Sequence, residues 1–350
     1  MRKYKSRIAR AFIGGVAIAA LMAAVAGCSD SDKGNGTTVS EFEVIASAAN
    51  SYLTNVTATT TATALYNNLS DGNTANDPFV LDVRSATDFA AGHIAGAVNV
   101  PFRDIAKTAN QSKFPTDKAT EIAVICYTGH TACQSAAYLG MLGYSKAKAM
   151  KFGMTSWTVD PVDFPWIVTN PPYSSTSDCG EYPVSTSAEA PGTYSYPEPE
   201  NTTSSDEAEI IRAAADAYLS SGAAPTMSSA TLYNNLNDGN TANDPFVLDI
   251  RGAADYAAGH ITGAVNIAFK TIADQANLSK LPTDKQIVVI CYTGHTASYT
   301  TMVLKTLGYN AVAMKYGMTS WTVDPAKNPS VTTTKPYDVA VDCMGYPCVQ

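Results

Sequence analysis

Positive charge is scarce in this chain. Lys and Arg together number 23 against 31 Asp and Glu, a formal net charge of -8. That balance argues against a nucleic-acid partner and against a polybasic membrane patch. Metal-ligand patterning is missing too: the 4 histidines and 7 cysteines fall into no zinc-site spacing. No glycine-rich phosphate loop occurs either. Neither a metal nor a cofactor is therefore expected. The apolar run Ala11 to Ala26 is too short, and too rich in Ala and Gly, to read as a membrane span.

What that run does have is a setting. Arg2, Lys3, Lys5, Arg7 and Arg10 precede it, and Val25-Ala26-Gly27-Cys28 closes it before the polar stretch Ser29 to Gly36. A basic start, an apolar middle and small residues at the end make a secretory signal. The Val-Ala-Gly-Cys ending resembles a bacterial lipobox, which implies a signal peptide over 1–27, lipidation of Cys28 and a flexible spacer over 28–40. Acyl chains on Cys28 would hold the protein at a membrane of the cell envelope. By the rule that the lipobox resemblance implies, Ser29, standing where an Asp would signal inner-membrane retention, points to the outer membrane, facing the periplasm or the cell surface, if the cell is Gram-negative. Outside the cytosol, exposed cysteines need a partner or a task.

The remaining chain, with 45% hydrophobic residues overall, is long enough for two ordinary domains. It spells its content twice. Leu65-Tyr66-Asn67-Asn68-Leu69 returns as Leu232 to Leu236, Asp77 to Asp82 as Asp244 to Asp249, Gly92-His93-Ile94 as Gly259-His260-Ile261, Trp157 as Trp321, and Cys179 as Cys343. So long a period means tandem domains, not a solenoid. The expected units are 41–184 and 207–350, joined by a Ser/Thr/Pro/Glu-rich linker over 185–206 that lacks the aliphatics for a core. Each unit opens with an apolar-periodic helix, on Phe42, Ile45, Ala49 and Tyr52 or on Ile210, Ala214, Ala217 and Tyr218. Strands are expected over Phe79 to Val83 and Phe246 to Ile250. Helices and strands then alternate, giving an α/β class with a mainly parallel sheet.

The most informative repeat is Ile125-Cys126-Tyr127-Thr128-Gly129-His130-Thr131-Ala132, found again as Ile290 to Ala297. Each copy follows an apolar run, Ile122 to Ile125 or Ile287 to Ile290, that reads as a buried parallel strand. Each precedes a helix-like segment. The cysteine thus sits in the turn between strand and helix. Successive backbone N–H groups there form a nest, and the helix start adds its positive end. Such a turn stabilises a thiolate and holds a small anion beside it. Cys126 and Cys291 are the candidate nucleophiles, with Tyr127, Thr128, Gly129, His130 and Thr131, and Tyr292, Thr293, Gly294, His295 and Thr296, as the substrate-binding loops.

These residues resemble the rhodanese family. Asp82-Val83-Arg84 with Phe89 to Asn99, and Asp249-Ile250-Arg251 with Tyr256 to Asn266, match one family motif, although the usual proline before the second glycine is Ala95 or Thr262. The cysteine loop matches the family's active loop in position and spacing. The resemblance spans about 41–183 and 206–348. It implies two tandem rhodanese-like domains, each a mainly parallel five-stranded sheet flanked by helices. It also implies a sulfurtransferase whose thiolate takes sulfane sulfur from a small anionic donor, such as thiosulfate, and passes it to a thiophilic acceptor. The thiol pKa is expected to be lowered without a separate base. Asp82 with Arg84, and Asp249 with Arg251, are expected as ion pairs supporting the loops; His93 and His260 belong to the structural motif.

The departures concern charge. No Lys or Arg lies between Cys126 and Ala132 or between Cys291 and Ala297, where many thiosulfate-type loops are basic. The only cationic candidates there are His130 and His295, expected to protonate and contact the donor. Each domain is expected to act by itself, since the duplication preserves the whole loop. A second reading is a carrier with little turnover, holding sulfane sulfur or a chalcogen species such as selenite or tellurite for a membrane partner. Cys179 and Cys343 have several options: pairing with the loop cysteine as a resolving pair, pairing across domains, Cys343 with Cys348, or remaining free. Cys133, about 10 Å of helix beyond Cys126, is out of disulfide reach.

Overall fold

A computed structural model describes residues 40–161 and 164–350. The expected signal, Cys28 and all but the last residue of the spacer lie outside the described residues. That last residue, Ser40, caps the first helix, Glu41–Asn55, by accepting the Glu43 N–H at 3.4 Å. The helix buries Phe42, Ile45, Ala49 and Tyr52, the stripe its spacing predicts. Its counterpart, Glu207–Ser220, is capped by Asp206, which accepts the Glu209 N–H at 2.9 Å.

The first sheet contains β1 (Thr59–Thr60), β2 (Phe79–Asp82), β3 (Val98–Asn99), β4 (Ile122–Ile125) and β5 (Ala147–Met150). The second contains β6 (Thr226–Met227), β7 (Phe246–Asp249), β8 (Val265–Asn266), β9 (Ile287–Ile290) and β10 (Ala311–Met314). Their orders, β1-β5-β4-β2-β3 and β6-β10-β9-β7-β8, are the same, and every pairing is parallel. β4 and β9 are central and buried throughout, which explains their unbroken apolar sequences. The register sets Asp82 beside Ile125 and Asp249 beside Ile290. Chain order reverses direction around β4 and β9, so a crevice opens at their carboxyl ends.

After each central strand comes a helix, His130–Met141 or His295–Thr306. Only Thr131 is not buried in the first, and only Thr296 and Lys305 in the second. A helix covered on every side needs two neighbours. One is its own sheet; the other is the equivalent helix of the other domain. Residues of both domains consequently form one continuous apolar core. Polar groups cross it in pairs: Gln134 Nε2 donates to the Pro225 carbonyl at 2.9 Å, and the Tyr218 hydroxyl donates to Gln134 Oε1 at 2.7 Å.

The domains also exchange their tails. Tyr182 stacks on Tyr233 of the second domain at 4.0 Å, and Trp321 Nε1 donates to the Pro183 carbonyl at 2.8 Å. Reciprocally, Tyr346 stacks on Tyr66 at 3.9 Å, and Trp157 Nε1 donates to the Pro347 carbonyl at 2.9 Å. Backbone bridges Ser185–His260 and His93–Val349 finish each exchange. The units 41–184 and 207–350 therefore do not coincide with the packing: the end of each covers the aromatic face of the other. The segment between them holds no helix or strand but is pinned, with the Asn201 and Thr202 N–H groups donating to the Glu41 carboxylate at 2.8 and 2.7 Å.

Candidate active site

β4 stops at Ile125 and the helix begins at His130, with Gly129 between them in the left-handed region at φ 90°. That conformation disfavours any side chain, and a Cβ there would also lie 2.5 Å from His295 Nε2 of the other domain. The turn aims the Gly129 N–H at Cys126 Sγ, 3.1 Å away; Gly294 does the same for Cys291 at 3.1 Å. The backbone N–H groups of Thr128 and Ala132 and the Thr131 hydroxyl also act on Cys126, as do those of Thr293 and Ala297 and the Thr296 hydroxyl on Cys291. The nest thus reaches one residue past the expected loop, to Ala132 and Ala297, whose apolar side chains carry no sign of it.

One expectation is corrected here. Both thiols are buried, each 2% exposed, and burial pushes both pKa values up; the nest works against that shift but does not overcome it.

A larger correction concerns His130 and His295. The Tyr316 N–H donates to His130 Nε2 at 3.1 Å, and the Phe152 N–H donates to His295 Nε2 at 3.1 Å. A backbone donor on Nε2 leaves the ring proton on Nδ1, which donates to Thr128 Oγ1 at 3.0 Å in one ring and to Thr293 Oγ1 at 2.9 Å in the other. The two imidazoles are therefore neutral, and they stack on each other across the domain boundary with centroids 5.4 Å apart. Burial holds the His130 pKa well below the usual range, helped by His295 and Lys315; burial, helped by Lys151, holds that of His295 at about 3. They join the domains and leave no ring nitrogen for a donor.

The buried ion pairs are formed as expected. Arg84 Nη2 lies 2.7 Å from Asp82 Oδ2, and Arg251 Nη2 lies 2.7 Å from Asp249 Oδ2. Each guanidinium also donates to a carbonyl, of Gly92 or Gly259, at 2.7 Å. These bonds brace the strand end next to Ile125 or Ile290, so any support of the loop is indirect. His93 and His260 anchor the same turn through Nδ1 contacts with the Phe89 and Tyr256 carbonyls at 2.9 and 2.7 Å.

A cavity of about 440 Å³ opens in front of Cys126. Tyr127 borders it and is tied down by its hydroxyl, which donates to Asp88 and accepts the Ser85 N–H. Tyr292 is held likewise by Asp255, at 2.6 Å. Arg103, Thr169 and Asn170 line the cavity from the first domain, and Pro225, Thr226 and Lys315 line it from the second. The site is composite, which corrects the expectation of self-contained domains. Two larger clefts, of about 570 and 600 Å³, contain neither loop cysteine. Cys126, Cys133, Cys179, Cys291, Cys343 and Cys348 are all unpaired. Among the described residues no group of His, Cys, Asp and Glu could hold a metal ion, and no helix is long and apolar enough to cross a membrane.

A cysteine in a nest of backbone N–H groups, at the carboxyl end of the central strand of a parallel α/β sheet, is an arrangement that suits covalent group transfer. The rhodanese-like domain profile matches residues 61–160 and 228–324, more than half of the chain. The chain belongs to the rhodanese-like family. It is 30% identical over 79 residues to a putative sulfur carrier protein, YrkF, of Bacillus subtilis, covering 23% of this chain and 40% of that one. It is 36% identical over 78 residues to thiosulfate sulfurtransferase GlpE of Pseudomonas fluorescens, covering 22% of this chain and 68% of the relative. A rhodanese-like domain protein from Staphylococcus aureus, of solved structure, is 26% identical with a TM-score of 0.24, over 26% of this chain and 84% of that one. Sulfur transfer is the chemistry that family and relatives support.

Proposed function

We propose that this protein is an exported, lipid-anchored sulfurtransferase that moves sulfane sulfur from a small anionic donor, thiosulfate or similar, to a thiophilic acceptor through persulfides on Cys126 and Cys291. The observation that carries this reading is the Gly129 N–H on Cys126 Sγ at 3.1 Å beside a cavity of about 440 Å³. The nest that now faces a thiol would hold the terminal sulfur of a persulfide, whose charge lies where the N–H groups point. Cys28, in its lipobox-like setting, would anchor the chain at the cell envelope. The carrier reading draws on the low exposure of both cysteines, 2% each, which restricts bulky acceptors.

The purified protein is incubated with thiosulfate and cyanide. Repeated turnover to thiocyanate, with a one-sulfur mass increase on peptides holding Cys126 and Cys291, supports the enzyme. One equivalent per cysteine supports the carrier, and no increase on either peptide refutes both. In cells, Cys28→Ser is expected to shift the protein from the membrane to the soluble exported fraction; continued membrane association would show another anchor.

A further inference from the structure

An anionic donor needs positive charge that neither cysteine loop contains. Two cations line the cavity over Cys126. Arg103 is committed: its guanidinium donates to the carbonyls of Leu219, Gly222 and Ala223 at 3.2, 3.4 and 2.7 Å, tying the first domain to the end of helix Glu207–Ser220. The Lys315 ammonium, among the described residues, forms no ion pair; it lies 4.8 Å from the Tyr316 ring centroid, and it senses Asp178, His130 and Cys126 electrostatically. Its backbone is fixed on three sides. Lys315 N–H donates to the Met227 carbonyl at 2.8 Å, Ser320 Oγ donates to the Lys315 carbonyl at 2.8 Å, and the next residue, Tyr316, is clamped to His130 of the first domain.

We propose that Lys315, carried by the second domain, is the donor-binding cation of the Cys126 site in the first, with His130 as the residue that positions it. The proposal rests on the sulfur-transfer reading. With thiosulfate, the thiol first loses its proton to solvent. Sγ then attacks the outer sulfur, the S–S bond of the donor breaks, and its electron pair leaves with sulfite. The Cys126 persulfide retains one negative charge and sulfite carries two, as thiolate and thiosulfate did. Lys315 faces that charge throughout, and the nest alone would have to offset it otherwise. Lys151 is built in the same way: its N–H donates to the Thr60 carbonyl at 2.8 Å, Ser156 Oγ donates to its carbonyl at 2.9 Å, and Phe152 is clamped to His295. Its charge acts on His295 as that of Lys315 acts on His130.

The test uses the full chain carrying Cys291→Ser, so that only Cys126 turns over. Adding Lys315→Met is expected to raise the thiosulfate KM and the sulfite inhibition constant together, by about tenfold, with a smaller change in kcat. Lys315→Arg is expected to restore both constants. Unchanged constants in the Met variant overturn the proposal, as does equal loss in the Met and Arg variants when both melt like the parent. Should the Met variant unfold, Lys315→Gln replaces it in the same comparison. If the Cys291→Ser parent itself gains no sulfur on Cys126, the sulfur-transfer reading falls, and the role of Lys315 falls with it.

Discussion

Acidification is expected to weaken this fold earlier than its carboxylates would. His130 and His295 are neutral in the folded chain because each Nε2 accepts a backbone N–H and both rings are buried together. Unfolded, each would titrate at about 6.5. The folded pKa is therefore the lower one, so the unfolded chain takes up more protons as pH falls. The associated stability is fully present above pH of about 6.5 and declines below it, toward the pKa of about 3 for His295. The slope is about 1.4 kcal/mol per pH unit for each ring. Between pH of about 7 and 5 that removes about 2 kcal/mol per ring, or about 4 kcal/mol for the pair. Urea unfolding across this range is the assay, with a His130→Gln, His295→Gln double variant as reference. Glutamine offers an acceptor oxygen to the same N–H groups but binds no proton. The wild type should lose about 4 kcal/mol more than the variant between those pH values. Parallel losses in the two proteins would refute the neutral, stacked arrangement.

Three further outcomes follow from the same geometry. Arg84→Ala leaves the buried Asp82 carboxylate without its partner and should destabilise by about 3–5 kcal/mol in urea titration; a near-neutral result would mean that water reaches the pair. Iodoacetamide alkylation of Cys126 in donor-free protein should keep accelerating above pH of about 9, because burial raises the thiol pKa; a plateau at neutral pH would instead reveal a preformed thiolate. Deleting residues 337–350 should red-shift tryptophan emission and lower the melting temperature, since the tail covers Trp157 and stacks on Tyr66; unchanged emission and melting would show that the exchanged tail is dispensable.

Much of this was legible in the residues. Unbroken runs such as Ile122 to Ile125 mark strands buried on both faces, and they emerge as β4 and β9 with the expected bounds. The strands expected over 79–83 and 246–250 end one residue sooner, at Asp82 and Asp249, where the carboxylate turns back to its arginine. Cys126 and Gly129 were legible because a strand, a turn and a helix start must occur in that order. The role of the histidines was not. A single copy of the loop contains a cationic candidate and an apparent shortage of charge, and reading it locally pairs the two. What decides the matter is the other copy: the N–H of Tyr316 comes from 186 positions beyond His130, and the ammonium of Lys315 from the same segment of the second half. A duplicated sequence states that both halves fold alike, but not which faces of the halves meet.

The exchanged tails bear on how the molecule is assembled in time. Trp157 belongs to the first half, yet its indole N–H is satisfied by Pro347, and the His93 backbone by Val349. A chain emerging from its amino terminus cannot finish the first domain while the second is still being made. The aromatic face around Tyr66 and Trp157 stays uncovered until Tyr346 and Pro347 arrive. The two halves are thus expected to reach their final form in one concluding event, with no completed first domain waiting for the second.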